Sequence, residues 1–225
     1  MKNLLLSVLL LLTAAPFAPA ALGRQDPPPP PKPLNAAESR PPDLGRLEGG
    51  QYVNNFFGLS LAVPQDWVIV SGQRHGEITE ESKKLIGTAD ARTQAQVNSS
   101  FERSTILLAL TKLPAGQPGN AGFMVIAERV PSPAFKSGAD VLRSMEGLTK
   151  GTQLTVEFQG DIRTEQLGGA EFATATIRNS SPYGVFMQKA YITVKNGYAL
   201  QLFYTYTDEG DLKTFDAIIK SIKAR

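Results

Sequence analysis

"VKNGYALQLFYTY", residues 194–206, is the stretch that decides how the chain folds. Asn196-Gly197 stands between two apolar-alternating runs, and an Asn-Gly pair supplies the two positive-φ positions that a tight two-residue hairpin requires. Gly168-Gly169 in "LGGA" (167–170) places a second such turn upstream. Together they predict an antiparallel meander of four strands, over about 154–166, 170–179, 184–195 and 198–207.

Two further strands precede the meander: "STILLALTKL" (104–113) and "GFMVIAERV" (122–130). Their centres, Ile106 to Leu110 and Phe123 to Ala127, are apolar at every position. A strand with one wet face alternates, so unbroken apolarity means that both faces are covered. Three helical patterns can supply the cover. Residues 77–101 carry Ile78, Ser82, Leu85, Ala89, Thr93, Val97 and Phe101 at helical steps, with Gly87 weak enough to divide the run in two. Residues 139–150 follow a Ser137/Asp140 capping pattern, put Val141, Leu142, Met145 and Leu148 on one face, and meet Gly151 at the C-terminal cap. The last helix follows Asp208, Glu209 and Asp211 and buries Leu212, Phe215, Ile218, Ile219 and Ile222. Helices on both faces of a central antiparallel sheet make an α+β fold, an α/β/α sandwich.

The globular part opens with "YVNNFFGLSLAVPQDW" (52–67). In a strand, Phe57, Leu59, Leu61 and Val63 point one way, and Phe56, Gly58, Ser60 and Ala62 the other. Pro64 ends the pairing, and Trp67 enters a short strand, "WVIV". Large aromatics are mostly interior, so this density reads as core and not as a ligand platform. Paired with "GYALQLFYTYTDEGDLKTFDAIIKSIK" (197–223), the opening stretch resembles the PsbP-like group of domains, in its aromatic-Asn hairpin, Pro-x-x-Trp turn, late Tyr-rich strand and final helix ending at Ser-Ile-Lys. The middle matches only in its order of elements, and 76–103 is longer than in the shorter members. The resemblance implies the same α/β/α sandwich and an accessory or binding role in place of catalysis. It carries over no site residue.

Ahead of this domain, which we bound at 47–225, lie two segments of another kind. Residues 1–20 read as an export signal: Lys2, an apolar run from Leu4 to Leu12, then Ala18-Pro19-Ala20 with cleavage after Ala20. An uncleaved anchor is the alternative. Residues 21–46 form a leader, since half of the chain's 16 prolines fall between Pro27 and Pro42. Proline lacks an N–H, and such a tract extends as polyproline II.

The chemistry available is narrow. The chain has no cysteine, so disulfides, thiolate chemistry and an N-terminal lipid-bearing cysteine are excluded. Its 23 basic and 21 acidic residues are interleaved, without the basic stripe that nucleic acid requires. One histidine, His75, is too few for zinc. "TDEGD" (207–211) lacks the pattern of a calcium loop and reads as a helix start, and "GQPGNAG" (116–122) lacks the lysine of a phosphate loop. His75, with Ser71 and Glu77 nearby, sits outside any nucleophile elbow and reads as a solvated turn residue ahead of a helix.

These features favour an exported, non-enzymatic accessory or binding module of the cell envelope, periplasmic or extracellular. Its expected partner is an envelope protein, with no nucleic acid, no cofactor, no metal and no integral membrane span once the signal is removed. Two alternatives stand beside it. One is a small hydrolase using His75 with Asp66 or Glu77, and the other is a carrier holding an apolar ligand between sheet and helix.

Overall fold

The computed structural model describes residues 42–114, 117, 119–130, 135–148 and 152–224. The signal, most of the leader and the expected Gly151 cap lie outside them. Twelve strands and four α-helices follow in the order β1 (Arg46–Glu48), β2 (Gln51–Asn54), β3 (Leu59–Ala62), β4 (Val68–Ile69), α1 (Gly72–Leu85), α2 (Ala91–Arg103), β5 (Ser104–Thr111), β6 (Gly122–Arg129), α3 (Gly138–Leu148), β7 (Thr155–Phe158), β8 (Arg163–Leu167), β9 (Ala170–Ser181), β10 (Gly184–Lys195), β11 (Tyr198–Tyr206), α4 (Leu212–Lys220) and β12 (Lys223–Ala224), among the described residues.

The main sheet runs β4-β5-β6-β11-β10-β9-β7, with β8 also on β9, and every pairing is antiparallel. Asn196 (φ 55°) and Gly197 (φ 79°) close the β10–β11 hairpin in the left-handed conformation that the sequence requires. Every residue of β11 is buried. On one face Leu85, Val97 and Phe101 of α1 and α2, with Val141, Leu142 and Met145 of α3, pack on Met124, Ile126, Ala190 and Phe203. On the other, Phe215 and Ile218 of α4 join Tyr52, Phe57, Leu59, Leu61 and Trp67 over Phe123, Val125, Leu202 and Tyr204. The fold is therefore the expected α/β/α sandwich. A second sheet, ordered β1-β2-β3-β12, shares the layer of α4.

Three elements differ from the sequence reading, each for a local reason. The first meander strand is broken: β7 pairs with the far end of β9, β8 with its near end, and Gly160 (φ 86°) turns the chain between them. The opening stretch is a hairpin, as the resemblance implies, but Phe56 and Phe57 lie in its turn and not in a strand. Asn54 Oδ1 accepts the Phe57 N–H (3.1 Å), and Gly58 (φ 61°) completes the turn. The long helical run divides about Gly87 as expected, but its first half starts earlier than residue 77. Ser71 caps α1 by accepting the Arg74 N–H (3.3 Å), and Asp90 caps α2 by accepting that of Thr93 (2.7 Å). The Ser137/Asp140 box forms in both directions (3.3 and 3.0 Å).

In the opening and closing stretches Tyr52, Phe57, Trp67, Tyr204 and Phe215 are buried. The Tyr204 ring stacks on Phe215 (4.6 Å), Tyr206 (5.8 Å) and Trp67 (6.0 Å). Its hydroxyl donates to Asp211 O (2.8 Å), while the buried Asp211 carboxylate accepts from Lys112 Nζ (2.6 Å). The start of α4 is thus clamped to β5 and β11. Ahead of β1, Tyr52 Oη donates to Leu44 O (2.8 Å) and Asn54 Nδ2 to Asp43 O (2.6 Å), which fastens the end of the leader to the domain.

Two glycines set how closely layers approach. A Cβ at Gly138 would lie 1.9 Å from Ile192 O, where α3 meets β10, and one at Gly168 2.5 Å from Ile222 O. Gly138→Ala and Gly168→Ala are expected to cost more than about 2 kcal/mol each in urea unfolding, through backbone clash. Gly76→Ala, on the exposed side of α1 with open space around the added methyl, is expected to gain about 0.5–1 kcal/mol.

Candidate functional site

His75 is not a solvated turn residue. It lies in the first turn of α1, half-buried, with its imidazole bonded to the Val70 backbone and its Nε2 sealed from solvent without a hydrogen-bond partner. Burial holds its pKa below the ordinary value, and the bond to Val70 opposes that only in part. The helix begins earlier than its apolar stripe suggests because Ser71 is a good cap, and this draws His75 onto the sheet.

The groups near His75 in sequence are engaged elsewhere. Ser71 Oγ accepts from the Arg74 N–H, and the Glu77 carboxylate pairs with the Arg74 guanidinium, which also reaches Glu81 (3.4 Å). Asp66 lies in the field of Lys112, beyond the far end of β4. The structure does not bring Ser71, His75 and a carboxylate into one relay. Between α1 and the start of β5, a shallow cleft of about 240 Å³ is lined by His75, Gly76, Thr79, Phe101, Ser104 and Ile106. Thr79 and Ser104 put hydroxyls on its wall, and Phe101 and Ile106 apolar groups.

"TDEGD" is spent on structure. Asp208 Oδ1 accepts the Gly210 N–H (2.8 Å), and Asp211 holds Lys112. Among the described residues no group of three His, Cys, Asp or Glu side chains is placed to hold a metal ion, and no helix is long and apolar enough to cross a membrane.

A second concavity was not legible in the sequence. At the break between β7 and β8, on the face that carries α4, a basin of about 220 Å³ opens among Asp161, Arg163, Glu165, Thr174, Lys189 and Tyr191. Parity puts them together: Thr174 lies opposite both Arg163 and Tyr191, and Thr176 opposite Lys189. Tyr191 is buried, which raises its pKa to about 12, with the Glu165 charge adding to the rise and a bond to Thr174 opposing it. Lys189 Nζ lies 5.8 Å from the centre of the Phe215 ring. The only signal available in advance was the i, i+2, i+4 spacing of Asp161, Arg163 and Glu165, which reads as an ordinary solvated edge until Gly160 bends it inward.

No protein-family model matches the chain, and no curated protein does. Among solved structures, the cyanobacterial PsbP (CyanoP) of Synechocystis sp. PCC 6803 is similar at 16% identity and a TM-score of 0.47, over 81% of this chain and 99% of that one. A Bacteroides thetaiotaomicron protein is similar at 14% identity and a TM-score of 0.41, over 80% of this chain and 49% of its own. LpqN of Mycobacterium tuberculosis, described as involved in cell envelope biogenesis, is similar at 17% identity and a TM-score of 0.39, over 73% of this chain and 82% of its own. These are likenesses of fold, and no site residue passes through them.

The sealed imidazole makes stability depend on pH. A histidine whose folded pKa is depressed takes up its proton first in the unfolded chain, so stability is full above the unfolded value, about 6.5, and falls as pH drops through it. Urea midpoints of the wild type are expected to decline between about pH 7.5 and pH 5.5, and His75→Asn, which keeps a donor for Val70, to flatten the decline. Equal slopes in the two proteins count against it.

Proposed function

We propose that the chain is an exported, non-enzymatic binding module of the cell envelope that engages an envelope protein. The observation that carries this reading is the engagement of His75, Ser71 and Glu77 in the local structure of α1. The imidazole is bonded to Val70 and sealed, the Ser71 hydroxyl caps a helix, and Glu77 is held by Arg74. A general base has to reach the proton it removes, directly or through one water. His75 Nε2 is shut off from solvent, although the residue lines the cleft beside β5. The sequence features of export and of an extended leader support the location.

The test compares wild type with His75→Ala on generic ester, peptide and phosphate substrates, alongside crosslinking in the native envelope. Expected are no turnover that depends on His75 and the same crosslinked partner for both proteins at neutral pH. Turnover that disappears with the substitution overturns the reading.

A further inference from the structure

We propose that the basin between β8 and β10 is a binding site for a small dipolar molecule, one that carries an anionic and a cationic group on a short frame. Its floor is built from buried hydroxyls: Thr174 is 8% exposed and Tyr191 7%. Its walls carry two carboxylates, Asp161 and Glu165, and two cations, Arg163 and Lys189. Among the described residues none of these four is in an ion pair, and Glu165 is hydrogen-bonded to Tyr191 at the edge of the floor.

Charge balance selects the ligand class. Two positive and two negative groups sum to zero, so a lone anion or a lone cation meets as much repulsion as attraction. A molecule with both charges satisfies both sets. Charge-assisted hydrogen bonds are the strong ones, and they are stronger where solvent is partly excluded. An apolar ligand would take the wall charges out of water with no partner of its own to offer, which is costly. Size points the same way: about 220 Å³ is below the range that encloses drug-sized ligands. Lys189 also has a fixed starting point, because its ammonium rests over the Phe215 ring.

The inference rests on reading the chain as a binder, and it fails separately from that reading. A turnover dependent on His75 removes the reading and leaves binding in the basin measurable. The test titrates the full, isotope-labelled chain with 4-aminobutyrate, butyrate or butylammonium at constant ionic strength, following the amide signals of Thr174, Thr176 and Lys189. We expect saturable shifts for 4-aminobutyrate with a Kd of about 1 mM or tighter. Butyrate and butylammonium should each bind at least tenfold more weakly, about 1.4 kcal/mol. Arg163→Gln and Lys189→Met, both on solvent-reaching side chains, should each weaken 4-aminobutyrate by at least about tenfold while leaving the rest of the spectrum in place. Equal binding of a singly charged probe, no saturable shift, or binding that survives both substitutions overturns the inference.

Discussion

A strand without an exposed residue has to be covered twice, and β11 is such a strand. Its odd and even side chains enter different cores: Phe203 meets the layer of α1, α2 and α3, and Tyr204 meets Phe215 and Trp67. Burial of one large apolar side chain is worth about 1.5–3 kcal/mol, so neither layer can be absent without exposing several such groups at once. The order of the sheet follows. The doubly buried strands β6 and β11 sit side by side at the centre, and the two-residue β4 and the broken β7/β8 pair end up at the edges.

The covering layers are held by polar groups as well as by apolar contact. Glu128, fully buried in β6, accepts from Ser100 of α2 and from Gln201 Nε2 (2.9 Å), and lies 3.5 Å from the Arg103 guanidinium. Further along the same face Asn179 donates to Gln188 (3.0 Å), and Gln188 to Thr205 (2.9 Å). A buried carboxylate is tolerated only where it is paired and hydrogen-bonded, so α2 cannot slide along the sheet without leaving Glu128 short of partners. On the opposite face Asp211 and Lys112 do the same for α4.

Much of this was legible beforehand because it rests on local rules. Asn196-Gly197 demanded a hairpin, the uninterrupted apolarity of β5 and β6 demanded two covers, and Ser137 with Asp140 demanded a helix start. The readings that failed depended on competition between local signals. Gly160-Asp161 interrupts a strand that alternation alone would continue, and Ser71 starts α1 ahead of its apolar stripe and carries His75 into the helix. The second sheet was the least visible. β12 is two residues long and is defined by its pairing with β3, together with the Ala62 N–H bond to Ser221 Oγ (2.8 Å), and no periodicity announces so short a strand.

The basin follows from the same geometry that makes the core. The layer carrying α4 is narrower than the eight-stranded sheet beneath it: α4 is nine residues long and centres on Phe215, and the small sheet extends the cover towards β5 and over the tip of the β8–β9 hairpin, where Gly168 touches Ile222. The middle of β8, β9 and β10 on that face is not covered by α4, and it carries Arg163, Thr174, Thr176 and Lys189 in place of the Ile177, Ala190 and Ile192 of the opposite face. A merely solvated face needs no concavity. Here Gly160, in the left-handed conformation, turns the chain where Asp161 joins the lining, and Lys189 Nζ rests near the Phe215 ring. Cover that stops short beside a broken edge strand leaves a charged hollow there. Binding chemistry at this site therefore lies in charge arrangement, and the single imidazole stays with the packing of α1.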